Sequence, residues 1–262
     1  MKRNFKLLWK SWALEISSHM AYKTNFAIKM LAFIIMDMIG PLVALLIYKN
    51  TAGIPGWTFE EFILFTGTLT LVFGFGHAAV IMMPARIIDD VRQGHFDKHL
   101  LRPFKSLTYF LFSSPDIDGV AEITVGLILV SWAFVKLGLT VFSWNFLIYI
   151  FLIIIGFIFQ YAVMIMISAL AFLFVKSWAL FDVFFTLTNF ARYPLTVYGG
   201  GITFFLTFMF PIAISASYPA DALLNGISGF GILKIVLPVF LFLFVSVWFW
   251  NMAMKKYSSA GG

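Results

Sequence analysis

The sequence predicts an all-α integral membrane protein of six transmembrane helices, and three observations carry that prediction. Apolar residues make up 61% of the chain and charged residues only 11%, about half the charged fraction of a soluble domain. Six apolar runs approach or exceed the roughly 20 residues a helix needs to cross hydrocarbon. The lysines and arginines fall between those runs, with a strong bias to one side. A soluble fold of 262 residues has too little interior for 33 Phe, 8 Trp and 12 Met. In lipid the outer face of each helix is apolar as well.

The elements follow in order. Residues 1–26 read as an amphipathic helix in the headgroup plane, with Phe5, Leu8, Trp9, Trp12, Ile16 and Met20 on one face and Lys6, Lys10 and Ser17 on the other. The competing reading continues this stretch straight into the first span. Spans are expected at 27–48, 62–83, 117–135, 146–175, 178–198 and 232–252. The fourth is longer than one crossing requires, so it tilts or extends beyond the bilayer. Between the second and third lies an insertion at 84–105, read as two short helices in an exposed loop. Gly94 stops the first of them, because glycine takes a left-handed conformation without strain. Pro103 ends the second. At 199–230 the chain is apolar but broken by Gly199-Gly200-Gly201, Pro211, Pro219 and Asn225-Gly226. Re-entrant helices packed against protein fit this stretch, since irregular backbone facing lipid leaves amides unpaired. The whole chain reads as one transmembrane domain.

Orientation comes from the basic residues. With both termini in the cytoplasm, 14 lysines and arginines fall inside, and Lys49, Lys136, Arg192 and Lys234 fall outside. The expected location is the cell's inner membrane. The N-terminus opens Met1-Lys2-Arg3 without the apolar region and cleavage site of a signal peptide.

Several function classes have no residues to support them. Cysteine is absent, which excludes disulfides, thiol nucleophiles and thiolate metal sites. A pI near 9.5 does not imply nucleic acid, because the basic residues sit in short segments between apolar runs. No Gly-Lys dipeptide occurs, so a phosphate-cradling G-x-x-x-x-G-K-[S/T] loop is missing, as is a G-x-S-x-G nucleophile turn. His95 and His99 are four apart, yet the Glu of an H-E-x-x-H zinc site is not between them, and a solvated pair is expected. The chain therefore reads as non-catalytic, with no cofactor or metal of its own.

Ionisable residues inside spans carry more weight, because each costs several kcal/mol in lipid and faces protein or water. Asp37 lies in the first span, before Gly40-Pro41. Asp116, Asp118 and Glu122 crowd the start of the third, where an interfacial role is expected. Asp182 is about a turn inside the fifth, and Arg192 lies toward its outer end. Asp37, Asp182, Arg192 and Pro211 are candidates for a translocation route or an outer gate, with Arg192 paired to a carboxylate. The bland alternative bonds Asp37 and Asp182 to neighbouring Ser or Thr.

Within the insertion, Gly94-x-Phe96-Asp97-x-x-Leu100-Leu101-Arg102-Pro103 resembles the cytoplasmic motif of type-2 ATP-binding cassette exporter permeases, in their compact bacterial six-helix subfamily. Ala191-Arg192-Tyr193-Pro194-Leu195, Phe208-Met209-Phe210-Pro211-Ile212-Ala213 and Tyr218-Pro219-Ala220 resemble that subfamily's run after the fifth helix. The resemblance implies that Gly94, Phe96, Asp97, Leu100, Arg102 and Pro103 dock on a partner ATPase, which binds ATP and Mg and transmits its closure to the membrane helices. It further implies a homodimer or heterodimer with a second permease, contact with membrane lipid and none with nucleic acid, and a route lined by helices one, two and five. Phe96 and Arg102 are expected as an exposed aromatic anchor and an exposed cation. Asp89-Asp90 departs from the expected coupling surface.

Function then follows as export of an amphipathic small molecule, drug or lipid, energised by ATP hydrolysis in a separate subunit. The alternative is a secondary transporter or channel using Asp37 and Arg192, against which stands the lack of visible internal repeats. An intramembrane enzyme is the third reading, and it lacks a catalytic constellation.

Overall fold

Capping and glycine chemistry sets where each helix starts and stops in the computed structural model, which describes residues 23–101, 106–113, 116, 118–174 and 178–257 together with Lys10, Ala13 and Ser17. Helix α1 is Lys23–Asn50, with Pro41 inside it. Thr58 then opens α2 (Phe59–Ala79) through a reciprocal capping box. Its hydroxyl accepts from the Glu61 N–H at 3.3 Å, and its own N–H donates to the Glu61 carboxylate at 2.8 Å. A short turn leads to α3 (Met83–Arg92). Gly94 takes φ +71°, and the His95 N–H reaches back to the Asp90 carbonyl at 2.7 Å. The glycine stop expected from the sequence is therefore present.

Short helices α4 (Asp97–Leu100) and α5 (Ser106–Ser113) follow, then α6 (Asp118–Leu137) and α7 (Trp144–Leu170). The Ser143 hydroxyl caps α7 on the Phe146 N–H at 3.1 Å. Helix α8 is Ala179–Thr188, continued by a 3-10 turn at Asn189–Arg192 and another at Leu195–Val197. Helix α9 (Gly200–Phe204) runs into a π-helical turn at Phe205–Met209, and a 3-10 turn at Ile212–Ser215 leads to α10 (Ser217–Asn225). The last helix, α11, is Gly229–Met254. All regular structure among the described residues is helical.

Five of these segments are long and apolar enough to cross a membrane: α1, α2 with α3, α6, α7 and α11. The expected span at 178–198 is different. It has ten α-helical residues before the chain tightens and Pro194 interrupts it. Its path is nevertheless fixed by contacts at each end. Phe172, just after α7, lies 5.1 Å from Trp250, near the end of α11. Thr196 accepts from the Trp57 indole N–H at 3.2 Å, beside the start of α2. The continuous helix expected at 178–198 is not formed: among the described residues the segment is a ten-residue helix followed by two 3-10 turns.

Helix α7 is the centre. It packs on α2, α3, α10 and α11 and buries residues all round, including Leu152, Phe159 and Met164. Gln160 sits in that interior and donates to the Val72 carbonyl at 3.0 Å. The tightest helix pair is α2 with α6, and glycines make it. A methyl group at Gly119 would stand 2.2 Å from the Ala78 nitrogen, and one at Gly126 2.7 Å from the Leu71 nitrogen. Gly67 and Gly74 are the α2 counterparts, each with less than 3 Å to α6. Small residues let backbones approach closely where lipid supplies no hydrophobic drive for association. By contrast, α1 buries only Pro41 and Ala44. Residues 1–26 fall mostly outside the described ones, so the in-plane helix has no structural counterpart here. Within 199–230 the packing on protein expected from the sequence is seen only in part: Ala213, Ile214, Ser215 and Ala216 are buried, whereas Ile202, Phe204, Phe208 and Met209 are exposed.

Candidate functional site

Two regions carry the residues singled out from the sequence. The first is the end of the bundle formed by α3, α4 and α5. Asp97 is half-buried, Leu100 is exposed, and Gly94 turns the chain between α3 and α4. Arg102 and Pro103 lie outside the described residues. Phe96 corrects the sequence reading. It is 0% exposed, with its ring centroid 4.8 Å from Phe172, 5.3 Å from Tyr257, 6.2 Å from Phe110 and 6.4 Å from Trp250. An aromatic this enclosed offers nothing to a docking partner. It anchors α4 to the ends of α7 and α11. His99 adds a second tie, its Nε2 2.8 Å from an Asp90 carboxylate oxygen and its ring against Phe110. The His95–His99 pair is therefore split. His95 is exposed, whereas His99 is a clasp inside the loop.

With Phe96 turned inward, Leu101 is left 87% exposed, next to exposed Leu100 and Lys98 on the same short segment, and Arg92 and Gln93 at the end of α3 are exposed as well. Exposed leucines on a loop with basic residues are a surface suited to a protein partner. Leu101 stands in the motif quoted from the sequence but carried no role there. Asp89, the acidic departure noted above, is exposed on α3.

The second region is intramembrane. Close approach of α2 and α6 brings His77 against Glu122, with Nδ1 and Oε1 2.5 Å apart. Glu122 is 7% exposed and its Oε2 is buried without a hydrogen-bond donor among the described residues. The glycine packing is what buries it. His77 falls within the predicted 62–83 span and was detectable as an ionisable residue there. Asp118 does lie at the helix start, where Lys29 of α1 meets it at 2.7 Å, and Asp116 donates its N–H to the Ala78 carbonyl at 3.2 Å.

Asp37 faces this region from α1. Its electrostatic neighbours are Glu122, His77 and Arg192. The alternative that bonded Asp37 to a nearby Ser or Thr fails, since its Oδ2 is buried with no hydrogen-bond partner among the described residues. Arg192 is exposed on the 3-10 turn that packs on α2. The ion pair expected for it is not formed among the described residues; the charge stands near Asp37 without contact. Asp182 is exposed and apart from the cluster. Pro211 is buried at the break between the π-helical turn and the next 3-10 turn. An apolar cavity of about 520 Å³ lies between α2, α6 and α7, walled by Leu71, Leu127, Phe146 and Ile153 among others. It contains no charged group, and it is distinct from the Asp37 region.

No constellation of three or more potential metal ligands occurs among the described residues. A family model described as ABC-2 family transporter protein matches residues 31–261. No curated protein matches the chain.

Proposed function

From the premise that the chain belongs to the ABC-2 family of transporter proteins, we propose that it is the permease subunit of an exporter driven by a separate ATPase, moving an amphipathic small molecule, drug or lipid. Members of the family are generally non-catalytic membrane subunits, and the apolar helices make the chain a multi-pass membrane protein. The rest is our reading. The α3–α5 end is cytoplasmic, both termini lie on that side, and the Phe172–Thr196 passage is the fifth of six crossings. A second permease, identical or different, completes the route, which is lined in part by α1 and by the turn bearing Arg192.

The observation that carries this reading is the exposed Leu101 on a loop tied rigidly to the bundle. An ATPase that moves this loop moves the ends of α7 and α11 with it, because Phe96 is packed against Phe172, Trp250 and Tyr257. ATP and Mg belong to that partner. Cores of protein interfaces favour exposed apolar anchors with a polar rim, and Leu101 with Lys98 and Arg92 has that form.

The test is co-purification from native membranes. Tagged wild-type chain should recover an ATPase carrying the phosphate-binding loop, and Leu101→Asp should lose it while eluting at the wild-type volume. Equal recovery with Leu101→Asp would remove this loop from the interface.

A further inference from the structure

We propose that Asp37, Glu122 and His77 form a binding site for a protonated amine, the charged head of an amphipathic ligand. The proposal rests on the permease reading, which supplies the reason for a ligand to reach this depth.

Two oxygens on different helices carry the argument. Glu122 Oε1 is satisfied by His77, but its Oε2 is buried and lacks a donor among the described residues. Asp37 Oδ2 is in the same condition, and Asp37 and Glu122 feel each other's charge. A buried carboxylate oxygen without a donor is costly in low dielectric. The residues that keep Glu122 in this position are Gly74 and Gly119, which let α2 and α6 touch. Any change that swung Glu122 out to relieve it would have to separate those helices.

Lys29 is used by Asp118. Asp116 adds a further negative charge near His77. Among the described residues whose charges act on Asp37 and His77, the carboxylates Asp37, Asp116 and Glu122 outnumber the cations Arg192 and protonated His77. The turn bearing Arg192 flanks Asp37 without pairing to it.

An ammonium answers both deficits. It brings one positive charge and three N–H donors, the two things that Asp37 Oδ2 and Glu122 Oε2 lack. A trimethylammonium carries the same charge with no donor, and a carboxylate ligand carries the wrong sign. The ligand body has a place as well. Asp37 is only half-buried, and its α1 neighbours Ile35 and Met36 are 56% and 66% exposed. They give α1 an apolar outer surface beside Asp37 in sequence, against which a ligand's tail can lie. The site thus selects primary or secondary amines with an apolar tail.

The experiment uses the full-length permease in lipid nanodiscs, without ATPase, and tritiated 4-phenylbutylamine as the probe. Binding above empty nanodiscs should saturate, and the N-trimethyl analogue should bind at least tenfold more weakly. Asp37→Asn and Glu122→Gln should each weaken amine binding at least tenfold. Asp37 forms no hydrogen bond among the described residues, so Asp37→Asn has none to break and keeps the test valid if Glu122→Gln misfolds. Three results would overturn the proposal: no saturable excess over empty discs, equal affinity for the trimethyl analogue, or unchanged affinity in Asp37→Asn. Since no ATPase takes part, loss of ATPase co-purification and loss of amine binding report on separate claims.

Discussion

Phe96→Ala tests whether the loop after α3 is anchored or merely exposed. The ring is fully buried and meets Phe110, Phe172, Trp250, Tyr257 and His99, all with centroids within 6.4 Å. Its removal leaves a cavity among side chains held from three directions, and collapse is restricted because Trp250 and Phe110 are themselves buried. Truncations of this kind cost about 3–5 kcal/mol. At about 2–4 °C per kcal/mol for a chain of this size, the unfolding midpoint should fall by roughly 10 °C. The measurement is tryptophan fluorescence against temperature in detergent, with size-exclusion profiles before and after heating. Leu101→Ala is the internal control: at 87% exposure a surface truncation stays within about 0.5 kcal/mol. Should Phe96→Ala melt with Leu101→Ala and wild type, the anchoring argument is wrong and Phe96 is free to dock.

Three further outcomes follow from the packing and the charges. Gly126→Leu should prevent α6 from meeting α2, since even a methyl group there stands 2.7 Å from the Leu71 nitrogen; the expected readout is aggregation on size exclusion, and a monodisperse protein would contradict it. Arg192→Ala should raise basal ATPase activity of the assembled transporter, while Arg192→Lys should keep wild-type behaviour, because Arg192 makes no two-pronged contact that lysine cannot reproduce; a lysine variant as leaky as alanine would restore the paired-gate idea. A cysteine at Gln93, which is exposed, should react with membrane-impermeant reagent only after the cells are opened, and labelling of intact cells would reverse the proposed orientation.

The long helices were legible because composition and length dominate them. The predicted runs at 27–48, 146–175 and 232–252 differ from α1, α7 and α11 by a few residues. The run at 178–198 was expected as one uniform helix, and the chain there is a ten-residue helix followed by 3-10 turns. Hydropathy does not register that Asn189–Arg192 tightens to 3-10 geometry ahead of Pro194. Gly94 was readable from residue type alone, since positive φ calls for glycine. Phe96 was not: a phenylalanine in a polar loop has the same one-letter signature whether it docks outward or plugs the bundle, and Tyr257, which encloses it, is 161 positions away. The His77–Glu122 pair was half legible. Each is an ionisable residue in an apolar run, but their meeting depends on glycines at 74 and 119, whose partners only the fold reveals.

The central claim is that ATP hydrolysis in a partner chain powers movement of substrate through this one. Proteoliposomes holding the chain and its co-purified ATPase test it most directly, with labelled 4-phenylbutylamine as the first cargo and either ATP or an imposed proton gradient as the energy source. The account predicts vectorial movement with ATP, none with the gradient alone, and loss of the ATP-driven flux in Leu101→Asp. Flux driven by the gradient in liposomes lacking the ATPase would contradict it, and would identify Asp37 and Arg192 as the groups of a secondary transporter.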